Sequence, residues 1–103
     1  MAKSRRLKLH QELLDISGLP VYYQPPESVK MEYPCIVYEL ESGKNFQADN
    51  NSYLYTDMYS VKIIHRDPDS ELPDILRRHF LYINRGQRYK ADNLYHDSFT
   101  LYY

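Results

Sequence analysis

Four histidines, at positions 10, 65, 79 and 96, and one cysteine, Cys35, are the first side chains to weigh for chemistry. No close pair of histidines stands at metal-ligand spacing. His65 with Asp67 and Asp69 could be drawn as a metal or acid/base site, since an imidazole beside two carboxylates suits either role. The run Asp67-Pro68-Asp69-Ser70 is equally what a turn opening a helix requires, and that accounts for the same residue types. Glycine occurs at positions 18, 43 and 86, which leaves no glycine-rich loop to cradle a phosphate. There is no nucleophile elbow, and Cys35 lies in an apolar strand pattern without a basic sequence neighbour to activate it. The sequence therefore predicts no catalytic residue, no metal site and no cofactor.

A different chemistry would use Arg85, Arg88 and Lys90 beside Tyr89, together with the basic residues Lys3, Arg5, Arg6 and Lys8. Basic and aromatic residues interleave there as in proteins that bind single strands of nucleic acid. Against it, the net charge is -1, and Asp92 and Asp97 offset the local field. A small single-stranded nucleic-acid-binding module stands as an alternative reading. The near-zero charge is also compatible with self-assembly, because little repulsion holds copies apart.

At 103 residues the chain is expected to form one domain, residues 1–103, with a single modest core. Aromatic residues reach 15%, twelve of them Tyr and none Trp, which suits half-buried strands and protein interfaces alike. One cysteine excludes an internal disulfide. No membrane span and no signal-peptide core are evident, so a soluble protein made in a cytosol is expected.

The elements that must position these residues centre on residues 53–66, YLYTDMYSVKIIHR. Free of Gly and Pro and rich in Tyr, Val and Ile, this stretch predicts a strand of about 45 Å, half of a projecting hairpin arm. Before it, Ser4 is read as the cap of a helix running to about Ile16, stopped by Gly18 and Pro20. Residues 21–24 form a short strand closed by Pro25-Pro26, a pair that belongs at a sheet edge or outside the sheet. Residues 35–41 form a second strand, expected to pair with the long one across the polar loop 42–52 around Phe46. Ser70 is read as N-cap of a helix with Glu71 at N1 and Pro73 at N3; its acids lie early, and Arg77, Arg78 and His79 lie late. A turn at Arg85-Gly86, a short strand over 88–91, a turn at Asp92-Asn93 and a final strand over 94–103 complete the order α-β-β-β-α-β-β. The fold class is α+β: a single, mostly antiparallel sheet with two helices packed on it and a long hairpin or loop projecting.

The stretches VYYQPPESVKMEYPCIVYEL (21–40), HRDPDSELPDILRR (65–78) and YKADNLYHDSFTLYY (89–103) resemble small neck and tail-completion proteins of long-tailed bacteriophages and prophages. These are tail-terminator-like proteins, and the likeness spans nearly the whole chain. It implies a structural, non-enzymatic subunit of the virion tail or neck, assembled in the bacterial cytoplasm. It further implies a ring of six copies on the head-proximal end of the tail tube. The implied partners are other copies of the chain, the major tail tube protein and the head–tail connector or head-closure protein, with DNA as passing cargo and no membrane. A neighbouring neck component, such as a head-closure protein, is the nearest alternative. The candidate interface residues are Phe46 and Asp49 in the loop, Tyr53 and Tyr55 on the long strand, and Arg5 and Arg6 in the first helix. Asp49 could line a lumen through which DNA slides, or touch the next ring.

Overall fold

A computed structural model describes residues 2–41 and 57–103, with side chains from residue 5 onward. Its elements are α1 (Ala2–Ser17), β1 (Val21–Tyr23), β2 (Cys35–Leu40), β3 (Met58–His65), α2 (Leu72–His79), β4 (Ile83–Ala91) and β5 (Leu94–Tyr102). The five strands form one sheet in the order β1-β2-β3-β5-β4, and β1 alone runs parallel to its neighbour. The protein is thus an α+β fold with a mostly antiparallel open sheet and two helices. The whole loop 42–52 and the outer part of the expected hairpin arm, including Phe46, Asp49, Tyr53 and Tyr55, lie outside the described residues.

Strand alternation divides the sheet into two unlike faces. Ile36, Tyr38, Tyr59, Val61, Ile63, Phe99 and Leu101 point to one side, where Leu9 and Leu13 of α1 and Leu76 of α2 close the main core with Phe80. The other face carries a smaller cluster of Cys35, Ile64 and Leu94, covered by Met31 and Tyr33 from the β1–β2 connection. Cys35 is a buried core residue, as its apolar setting predicted.

Helix α1 begins at Ala2, so Ser4 lies inside it rather than at its cap. Ala2 and Lys3 are good helix formers, and nothing before Ser4 breaks the pattern. Gly18 ends the helix at φ +67°, and its N–H donates to Leu14 O at 2.9 Å. Helix α2 starts one residue later than expected: Glu71 is the N-cap, and Pro73 sits at the second helical position. Ser70 still serves the helix start, because its Oγ accepts the Leu72 N–H at 3.3 Å. Asp92 and Asn93 both take positive φ, 53° and 63°, as a two-residue turn between β4 and β5 demands.

The largest departure from the sequence reading is at Arg85-Gly86. No turn forms there, and β4 runs unbroken from Ile83 to Ala91. Arg85 pairs with Phe99 and Arg88 with Asp97, so β4 carries one more residue than β5 between these pairs. That is a β-bulge, which a glycine inside a strand often marks. A Cβ on Gly86 would come within 2.6 Å of Ser98 Oγ and 3.2 Å of Ser98 O. Gly86→Ala should therefore cost about 1–2 kcal/mol through overpacking at the bulge. Urea unfolding would check this; the loss should shrink when Ser98→Ala is added, since the nearer of the two contacts is then gone.

Candidate functional site

The bulge has a consequence for charge. Residues three apart on a regular strand face opposite sides, but the extra residue brings Arg85 and Arg88 onto the same face. Both then reach Asp97, which alternates with Phe99 and Leu101 and so points into the helix-covered side of the sheet. Asp97 is fully buried. Arg88 Nε donates to its Oδ1 at 2.8 Å and Nη2 to its Oδ2 at 3.2 Å, a two-pronged contact, while Arg85 Nη2 donates to Oδ1 at 3.3 Å. His65, at the end of β3, donates from Nε2 to Oδ2 at 2.6 Å, because an ionised carboxylate can only accept. Arg88 also donates from Nη1 to Pro68 O at 2.9 Å, tying in the turn before α2. Burial alone would raise the Asp97 pKa; hydrogen bonds and charge from Arg88 and His65 outweigh it and hold the carboxyl below its ordinary value.

His65 is itself buried, and its second nitrogen, Nδ1, has no hydrogen-bond partner. The Tyr95 ring stacks on His65 at 5.8 Å, and the Arg88 and Lys90 cations lie 5.4 and 5.6 Å from the Tyr95 centroid. A carboxylate that orients an imidazole is the start of many acid/base sites. Here both groups are enclosed, and the geometry cross-links β3, β4, β5 and the 67–70 turn around one negative charge.

The His65 grouping drawn from the sequence is replaced by this one. Asp67 and Asp69 are exposed, and Asp67 Oδ1 accepts the Asp69 N–H at 2.9 Å within the turn. Among the described residues there is no group of three or more His, Cys, Asp and Glu placed to hold a metal ion. Burial pushes the Cys35 thiol up to about 11. The basic and aromatic residues of β4 are separated rather than interleaved. Tyr89 pairs with His96 and stacks on it at 4.7 Å, on the face opposite Arg88 and Lys90.

Arg6 is drawn onto the protein's own sheet. Its guanidinium lies 4.3 Å over the Tyr23 ring and donates to the buried Tyr38 hydroxyl at 3.2 Å. The same hydroxyl meets His10 Nδ1 at 2.8 Å, and burial together with the Arg6 charge lowers the His10 pKa. Arg5 is half-buried on the same helix. Glu12, which no motif marked, joins three elements: its carboxylate bonds Tyr103 Oη beyond β5 and His79 Nε2 of α2, the latter at 3.0 Å. Comparison with protein-family models, curated proteins and solved structures finds no match to the chain.

Asp97→Asn should destabilise the fold by about 3 kcal/mol, since a buried charge-assisted network loses its anion. Because the folded carboxyl titrates below its unfolded value of 3.8, its contribution is complete above that pH and is lost as pH falls through the folded value. The stability–pH slope below about pH 4 should therefore be shallower in Asp97→Asn than in the parent. Glu12 is shifted in the same direction, so the slope should lessen rather than vanish. Urea midpoints measured from pH 2.5 to 7 would check both statements.

Proposed function

We propose that this chain is a structural subunit of a long-tailed phage or prophage virion, of the tail-terminator type. In this reading copies of it close a ring, of six subunits, on the head-proximal end of the tail tube. The ring halts tube growth and offers its other surface to the head–tail connector or head-closure protein, while DNA passes through the lumen as cargo. The observation that carries the reading is the resemblance over residues 21–40, 65–78 and 89–103. These stretches are not scattered: they hold the β1–β2 unit, the end of β3 with the turn and most of α2, and much of the β4–β5 hairpin.

The architecture supports it in one respect. A closed ring needs two different, mutually complementary patches on each subunit. An open sheet whose two edge strands differ in length, charge and partner supplies two such surfaces. Nothing in the ring role calls for an exposed nucleophile or a metal, and the ion network around Asp97 serves to stiffen the sheet.

Removal of the gene from a phage that encodes this chain tests the reading by electron microscopy of the lysate. Tails of variable and excess length, unattached to filled heads, are expected, and purified protein added to growing tails should restore a fixed length. Normal tails joined to heads in its absence would refute the proposal.

A further inference from the structure

Helix α1 is pinned to the rest of the fold at two places, by groups of opposite acid–base character. One pin is Glu12, whose carboxylate bonds Tyr103 Oη and His79 Nε2 and so ties α1 to the end of the sheet and to α2. The other lies earlier in the helix, where Arg6 and His10, one turn apart, both reach the hydroxyl of Tyr38 on β2. Tyr38 has no exposure to solvent, so each polar atom there needs a partner. Arg6 can only donate, and its Nη1 gives a hydrogen bond to the phenolic oxygen at 3.2 Å. The phenolic proton then needs an acceptor, and His10 Nδ1 at 2.8 Å supplies it. The imidazole is therefore neutral, with its own proton on Nε2. The Arg6 guanidinium also lies 4.3 Å over the Tyr23 ring of β1, and Tyr23 packs on Tyr38 at 4.9 Å.

We propose that Arg6, His10 and the Tyr38 hydroxyl form a proton-operated latch, which opens the first half of α1 away from β1 and β2 when Nδ1 of His10 takes up a proton. Protonation turns Nδ1 from acceptor to donor, leaves the phenolic proton without a partner, and sets a second cation beside Arg6. Nothing around the ring compensates. From its own helix comes the Arg6 cation; β2 and β1 bring the phenols of Tyr38 and Tyr23. From β3, Tyr59 stands behind Tyr38 at 5.9 Å, pushed up to about 12 by burial and by Asp57. From α2, His79 meets Glu12 rather than His10. Among the described residues no carboxylate bonds His10, and its downward shift comes first from burial and then from Arg6. The latch is accordingly closed above pH 6.5, loosens as the pH falls below that, and is fully released once the docked ring has titrated. The Glu12 carboxyl titrates below its ordinary 4.5, so this second pin is still ionised at pH 5. Acid thus frees the residues before Leu9 and uncovers the Tyr23 ring, while the remainder of α1 stays docked. This inference does not depend on the ring reading.

The test is amide hydrogen exchange on the full chain at pH 7.5 and pH 5, expressed as protection factors so that the intrinsic pH dependence of exchange drops out. Amides over 6–10 should lose protection by about threefold or more at pH 5, while those over 13–17 and those of β3 keep theirs. His10→Gln, whose side-chain oxygen accepts the phenolic proton but does not titrate, should remove the change. Nitrogen NMR of the parent gives a second readout that needs no core substitution. At pH 7.5 the His10 ring should carry its proton on Nε2, and its titration midpoint should lie below 6.5 and rise in Arg6→Gln. Protection over 6–10 that holds to pH 5 in the parent would overturn the latch. So would the same loss in His10→Gln, a proton on Nδ1 at pH 7.5, or a midpoint indifferent to Arg6→Gln.

Discussion

One buried carboxylate sets the terms for much of this fold. Asp97 lies on the core side of β5 with no exposure to solvent, directly across from Ile63 of β3. An unpaired charge there would cost several kcal/mol, so the chain must bring cations to it. It does so from one strand, and the bulge at Gly86 is what allows that strand to aim two arginines the same way. The glycine, the bulge, Ser98 Oγ bonded to Gln87 O at 2.9 Å, and the His65 contact form one dependent set. The result is an edge strand held against its neighbour by ionic as well as ladder bonds. An edge strand that presents mostly exposed side chains to solvent gains order from such a tether that its own burial does not provide.

Much of the architecture could be read directly from residue types. Helix α2 was marked at both ends by charge and at its start by Ser70 and Pro73, and it forms within one residue of expectation. The alternation of β5 and the turn at Asp92-Asn93 were equally plain, because two-residue hairpins require residues that tolerate positive φ. The order of elements followed from periodicity and turn signals, and Pro25-Pro26, read as lying at a sheet edge or outside the sheet, follows the edge strand β1. What escaped was a matter of register. A bulge inverts side-chain parity without altering composition, so Arg85 and Arg88 could not be seen to share a face. Asp97 stood on the same parity as Phe99 and Leu101, where a carboxylate looks like a gap in an apolar pattern. A carboxylate on core parity, opposite a strand with two arginines around a glycine, is the signal that could have found it.

The pairing of His65 with Asp67 and Asp69 failed for a related reason. Sequence proximity favours local partners, but residues two apart on an extended chain turn away once the strand ends and the turn begins. The Asp67 carboxylate caps the backbone N–H of Asp69 within the turn, and the imidazole finds its partner 32 residues away. The ring function proposed here depends less on any site than on the sheet having two unlike margins. The network around Asp97 matters to that function because it fixes one of them.

Amide hydrogen exchange on Asp97→Asn would test this account most directly. If Asp97 tethers the edge, the β4 amides that bond to β5 should exchange faster by about tenfold or more, while β2 and β3 keep their protection. Uniform loss across the whole sheet, or β4 protection equal to that of the parent, would contradict it.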